Sequence, residues 1–172
     1  MTRTNSITTR LLSPSDDFAE VYGVIRRAYG EVLEKYGVGY TATRQNMDEV
    51  KARTDKGDCF VALYDGEIAG VIVLYRREES SRWRNWYAEP GVGACGLFAV
   101  DPPLQGKGVG KALLQAAETR ARELGMKEMA LDTAEPVPYA VPYYQSRGFR
   151  FVEIVQWEGN AYRNVMLSKT LN

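Results

Sequence analysis

Apolar side chains at Phe18, Val21, Tyr22, Ile25, Ala28, Tyr29, Val32 and Leu33 recur every three or four positions, which predicts an amphipathic helix running to about Lys35. Ser13 before Pro14 predicts its start, with the serine as N-cap, the proline in the first helical position, and Asp16 and Asp17 at the positive end of the dipole. Gly37 and Gly39 break the pattern, and a weaker amphipathic segment around Met47 and Val50 predicts a short second helix within 43–54, after a loop over 36–41. Two β-rich runs, 59–64 and 68–75, flank Asp65-Gly66-Glu67 and predict an antiparallel hairpin, because an Asp-Gly pair suits the tight turn. A polar, tryptophan-containing stretch over 76–93 precedes another predicted strand, 94–100, which stops at Asp101-Pro102-Pro103.

The clearest helix comes next: Val109, Leu113, Ala116, Arg120 and Leu124 share one face, and Gly125 ends it. A short strand at 129–133 succeeds it, then a proline-rich 136–142 leading into a short helix that ends at Gly148. Strands at 151–157 and 162–167 form a predicted hairpin turning at Glu158-Gly159-Asn160. The predicted order is α-α-β-β-β-α-β-α-β-β. With no internal repeat, linker or low-complexity tract, a single domain over 1–172 is expected.

Composition narrows the chemistry. A chain of 172 residues with 45% hydrophobic side chains can bury a core without disulfide or metal staples. Cys59 and Cys95 lie within apolar runs and read as small buried thiols, which suits a reducing compartment. Lysine plus arginine balances aspartate plus glutamate, 22 against 22, so the global basic field that nucleic-acid binding needs is missing. No leader-like segment and no run near the ~18 apolar residues of a membrane span is present, so a cytoplasmic protein is expected. Histidine is absent, which removes Ser/His and Cys/His nucleophile pairs and the usual zinc ligand sets; no metal site is expected.

The informative segment runs from Val100 to Lys111: a strand end, a proline brake, a glycine-rich turn and the first turn of a helix. Glycines admit a ligand close to the backbone, unpaired N–H groups of the helix start point outward, and the dipole adds about half a positive charge, so the segment is built for an anion. Lys107 and Lys111 supplement it. Spacing discriminates among phosphate loops. A Walker loop needs four residues between Gly and Gly-Lys and then Ser or Thr, whereas Gly106 and Gly110 enclose only three and Ala112 follows Lys111. A dinucleotide fingerprint needs its third glycine three positions after the second and a parallel βαβ unit; here it follows after two, behind predicted hairpins.

Gln105, Gly108 and Gly110, after a strand ending in Val-x-Pro, resemble the coenzyme A pyrophosphate loop of the GCN5-related N-acetyltransferase (GNAT) family, and Tyr144-Gln145-Ser146-Arg147-Gly148-Phe149 resembles its Tyr-x-x-x-Gly-Phe motif. The order of predicted elements extends the likeness over almost the whole chain. The resemblance implies an α/β (α+β) fold with a mixed, mostly antiparallel central sheet flanked by helices, in which strands 94–100 and 129–133 splay apart to admit the pantetheine arm of acetyl-CoA. It implies that main-chain groups of Phe98, Ala99 and Val100 pair with the pantetheine amides. Gln105, Gly106, Lys107, Gly108, Val109, Gly110 and Lys111 would hold the pyrophosphate. The Phe98 N–H would polarise the thioester carbonyl, and Tyr144 would donate to the departing sulfur.

Two departures limit the carry-over. Strand 94–100 contains no Glu or Asp where the family often has a carboxylate, and Val137 stands where it often has Asn. The base candidates are therefore Glu89, Asp132, Glu135 or a water relay. Acceptor specificity is expected from an aromatic wall drawn from Tyr29, Tyr36, Tyr40, Trp83, Trp86, Tyr87, Trp157 and Tyr162. The reading is an acetyl-CoA-dependent N-acetyltransferase that passes the acetyl group directly to a primary amine of a small molecule. A protein or peptide acceptor and a noncatalytic acyl-CoA-binding regulatory module are the alternatives, with no nucleic-acid or membrane partner and a homodimer left open.

Overall fold

The structure, a computed structural model, describes residues 5–76 and 85–172. Trp83 lies outside the described residues. Seven strands form one sheet: β1 (Ile7–Leu11), β2 (Asp58–Tyr64), β3 (Glu67–Tyr75), β4 (Val92–Val100), β5 (Glu128–Ala134), β6 (Arg150–Val155) and β7 (Asn164–Thr170). Their order across the sheet is β1-β2-β3-β4-β5-β7-β6, and only β4 and β5 run parallel. Four helices cover the faces: α1 (Phe18–Tyr36), α2 (Met47–Thr54), α3 (Val109–Glu123) and α4 (Ala140–Gln145). None of them is long and apolar enough to cross a membrane.

The chain's start differs from expectation. A strand, β1, precedes the first helix, and Ser13-Pro14 opens a turn instead of a helix. The Asp16 carboxylate closes that turn by accepting the Ser13 N–H at 2.7 Å, and Arg10 grips both of its oxygens at 2.7 Å. The helix starts four residues later, where Asp17 accepts the Ala19 N–H at 3.0 Å. Arg10 also holds the Asp16 carboxyl at a pKa of about 2, through that hydrogen-bonded ion pair and the Ser13 N–H. Farther along, α2 is set by a capping box between Asn46 and Glu49, and Asp65 and Gly66 both take positive φ in the β2–β3 turn, as an Asp-Gly hairpin requires. The last hairpin is shifted relative to expectation, so that Trp157 and Tyr162 fall in the loop between β6 and β7.

Alternation along the strands divides the core into two layers. Ile72, Leu74 and Cys95 pack with Leu113, Leu114, Ala117 and Ala121 of α3, while Val61, Val71, Val73, Leu97 and Ala99 pack with Val21, Val24 and Ile25 of α1. Truncating fully buried Leu113 to alanine is the kind of change that costs about 2–5 kcal/mol.

Two irregularities of β4 shape the space between it and β5. Its pairing with β5 covers only Val92, Gly93 and Ala94, opposite Glu128, Met129 and Ala130, while β5 stays fully paired to β7 and β4 stays paired to β3 as far as Val100. The two parallel strands therefore diverge. Against β3, β4 carries a bulge: Val73 faces Gly96 and Val71 faces Ala99, leaving Leu97 and Phe98 opposite Ile72 alone, with Leu97 at φ +47°.

Candidate active site

The divergence of β4 and β5 opens a cavity of about 870 Å³ that reaches from Gln105, Gly106 and Gly110 at one end to Trp157, Glu158 and Asn160 at the other. Main-chain geometry decides which groups face it. The Asp101 N–H donates to the Ala69 carbonyl at 2.8 Å, so alternation sends Ala99 toward Val71 and turns Val100 to the cavity. Beyond the bulge, Phe98 also faces away from β3. Accordingly, side chains reach both carbonyls from the cavity side, Tyr29 Oη donating to Phe98 O at 3.3 Å and Gln105 Nε2 to Val100 O at 3.3 Å. Of the three residues expected to offer main-chain groups, Phe98 and Val100 are placed to do so. Ala99 is paired with Val71 in the ladder with β3 and lines the cavity.

On the facing strand the Ala134 N–H donates to Tyr40 Oη at 3.3 Å, and the Tyr29 and Tyr40 rings lie 5.1 Å apart. Two tyrosines thus hold the gap open from the α1 side and partner backbone groups that the missing ladder would have used.

At the glycine-rich end, Gly106 and Gly108 take φ of +76° and +96°, with Gly108 as the left-handed N-cap of α3. No side chain caps this helix, and no described residue accepts from the N–H groups of Gly106, Lys107 or Gly108. The first-turn N–H groups of Val109, Gly110 and Lys111 have no acceptor within the helix either. A Cβ at Gly110 would sit 2.6 Å from Tyr143 Oη and 3.3 Å from Phe98 Cζ, so glycine is needed there for packing. The Val109 side chain is core, which leaves only its N–H for a ligand, and the Lys107 and Lys111 side chains are exposed beside the loop.

Between the two ends stands Tyr144, its ring centroid 6.2 Å from that of Phe98 and 5.2 Å from that of Tyr143. Burial pushes its pKa well above the ordinary tyrosine value, and its hydroxyl makes no hydrogen bond to a described residue. Cys95 also lines the cavity, with burial raising its thiol to about 12.

The far end is built by side chains. Asp132 accepts from Tyr87 Oη at 2.6 Å, Trp157 Nε1 at 2.9 Å and Asn164 Nδ2 at 2.7 Å, and the Tyr87 and Trp157 rings are stacked 10° from parallel. Of the three base candidates only Asp132 lines the cavity. Glu135 is exposed and held at 2.8 Å by both arms of Arg163, and Glu89 borders a separate shallow depression with Trp86 and Glu153. Tyr29, Tyr40, Tyr87, Trp157 and Tyr162 form the aromatic wall. Tyr36 does not line the cavity and packs behind Tyr139, which does, with centroids 5.9 Å apart, and the Trp86 main-chain N–H donates to Glu153 Oε1 at 2.8 Å. Arg53, Tyr75, Glu158 and Asn164 also line the cavity; none stands in a motif, and a helix-end arginine reads in sequence as a solvated charge.

A family model described as the acetyltransferase (GNAT) family matches residues 18–149. S-(2-succino)cysteine N-acetyltransferase of Bacillus subtilis is 30% identical over 140 residues, covering 80% of this chain and 81% of that protein. Among solved structures, a Pyrococcus horikoshii protein superposes with a TM-score of 0.72 at 27% identity, covering 97% of this chain and 99% of its own. A GNAT-family acetyltransferase of Elizabethkingia anophelis, solved with acetyl-CoA bound, superposes with a TM-score of 0.68 at 18% identity, over 96% and 98% of the two chains. The glycine loop, the splayed strands and these likenesses agree: this chain belongs to the GNAT family of acetyltransferases, enzymes whose co-substrate is acetyl-CoA.

Proposed function

We propose that the protein acetylates the primary amine of a small molecule by direct transfer, with both substrates held in one cavity. The carrying observation is that a single cavity joins the glycine loop to the Asp132 cluster past Phe98 and Tyr144. A phosphate-bearing acyl donor suits the first end and a small aromatic-lined pocket suits the second. Small-molecule acceptors also fit the activity for which the Bacillus subtilis relative is named, N-acetylation of a substituted cysteine.

The residues present fit coenzyme A on structural grounds: a helix start with outward N–H groups, open space around Gly106, and Phe98 and Val100 main-chain groups turned from the ladder into the gap. When bound, acetyl-CoA supplies an activated acetyl group, whose new N–C bond forms as the C–S bond breaks and the thiol leaves with a proton. The Phe98 N–H faces the gap and would stabilise the negative charge that develops on the thioester oxygen. Tyr144 would donate a hydrogen bond to the departing sulfur. Burial, which raises its pKa, keeps the hydroxyl protonated for that hydrogen bond, and the proton lost by the amine would pass through water to the departing sulfur.

Direct transfer is supported by Cys95: a thiol held near 12 is almost never ionised at neutral pH and makes a poor acyl carrier. Asp132 meets the acceptor from the opposite wall, and with three donors already on its oxygens it positions the amine, leaving proton removal to water.

The test is free-thiol release from acetyl-CoA with a panel of small amines, as initial rates at several concentrations of both substrates. Intersecting double-reciprocal lines are expected. Parallel lines, with an acetylated protein seen by mass spectrometry, would refute direct transfer, and binding without turnover of any amine would refute the small-molecule acceptor.

A further inference from the structure

The charged groups of the acceptor half are paired unusually. Arg53, in the last turn of α2, lines the cavity yet makes no salt bridge with a described residue; its Nη1 donates instead to the neutral Gln45 Oε1 at 2.7 Å. Elsewhere Arg10, Arg27, Arg76, Arg120, Arg122, Arg150 and Arg163 all find carboxylates, most of them at the surface, while Arg147, the other arginine lining the cavity, lies 3.6 Å over the Tyr143 ring and donates to Tyr143 O and Ser146 Oγ. Across the cavity, Asp132 shows the converse: Tyr87, Trp157 and Asn164 are all neutral donors, and no cation meets it among the described residues. Half-buried charges of opposite sign, each left without an ionic partner, are costly unless a ligand completes them.

Their placement relates both to the reacting centre. Tyr29, whose hydroxyl rests on Phe98 O, is the shared neighbour: after burial, which raises its pKa, the Arg53 charge is the largest opposing influence, and Asp132 also acts on it. Tyr75 beside it is likewise raised by burial and pulled down by Arg53.

We propose that the acceptor carries a carboxylate beside its amine, as an α-amino acid or a close derivative does, with Arg53 receiving the carboxylate and Asp132 facing the amine. A guanidinium suits this task because its planar fork matches a carboxylate with two parallel hydrogen bonds. This rests on the acetyl-transfer reading above and names the substrate class for it.

The experiment compares each amino acid of a panel with its amide and its decarboxylated amine, in the parent, Arg53→Gln and Arg53→Lys proteins. In the parent, kcat/KM for the free acid is expected to exceed that for the amide by about 30-fold or more, and Arg53→Gln should bring that ratio toward one, chiefly through KM of the acid. Arg53→Lys, which keeps the charge but loses the fork, should fall between. A circular-dichroism melt and acetyl-CoA affinity confirm that each variant is folded. Equal turnover of acid and amide by the parent, or an unchanged ratio in folded Arg53→Gln, would overturn the carboxylate assignment alone. Absence of turnover across the whole panel would instead strike the acetyl-transfer reading beneath it.

Discussion

The two ends of the cavity are made in opposite ways. The end proposed for the cofactor comes from seven consecutive residues, 105–111, and offers main-chain N–H groups whose directions follow from two positive-φ glycines and a helix start. The end proposed for the acceptor is drawn from α1, α2, β5, β7 and three connecting segments, and offers side chains: Asp132 meets donors 45, 25 and 32 residues distant in the chain. Backbone chemistry that any acyl-CoA needs is local. On the proposed reading, recognition of a particular amine is assembled from afar, so it can change residue by residue without disturbing the loop.

The sharpest way to break this comparison is at Gly108. Gly108→Val forces a β-branched residue to φ +96°, which costs about 1–3 kcal/mol or rearranges the loop. With two amide–phosphate bonds lost at about 1.5–3 kcal/mol each, the dissociation constant for acetyl-CoA measured by calorimetry should rise about 10² to 10³-fold or more. If the loop were only a connection, affinity would be unchanged. Tyr144→Phe tests the seam between the ends: kcat should fall about 10²-fold, the lower range for such donors, with acetyl-CoA affinity within about threefold. The raised pKa keeps Tyr144 protonated through pH 9, so in the parent protein kcat should show no alkaline loss from this group below its usual value of about 10.

Asp132→Asn addresses the acceptor end alone. One of its two acceptor oxygens becomes an NH₂ aimed at donors, leaving a conflict worth about 1–3 kcal/mol in a thermal or denaturant melt. Acceptor KM should rise while acetyl-CoA affinity holds; equal loss of both would mean that the ends are not separable. The smallest effect belongs to Glu135→Ala. Its pair with Arg163 is exposed, so stability should change by no more than about 1 kcal/mol, and kcat should stay at the parent value because this carboxylate lies outside the cavity.

Strong periodicity made most of the elements readable, α1 and α3 above all, and the glycine-rich turn into α3 was readable because its conformation depends on local backbone. β1 escaped because four of its five residues are exposed at the sheet edge, so it lacks the alternation a half-buried strand shows. The helix start was displaced because Ser13-Pro14 fits a turn as well as a cap, and Arg10 on Asp16 decided in favour of the turn. Nothing near Arg53 or Asn164 in the chain betrays a shared cavity. Ala99 could not be separated from Phe98 and Val100 without the bulge, since an unbroken ladder and a bulged one give different faces to the same residues.

The bulge and the divergence beyond it give the sheet something unusual, an edge in its middle. Amides of a central strand ordinarily exchange with deuterium only when the protein opens, but those of Phe98 and Val100 face the cavity with no strand opposite them. They should exchange like loop amides in the free protein and slow when coenzyme A is bound. An unpaired edge also invites stray strands, and here it is recessed behind Tyr29 and Tyr40, where another chain cannot easily reach it.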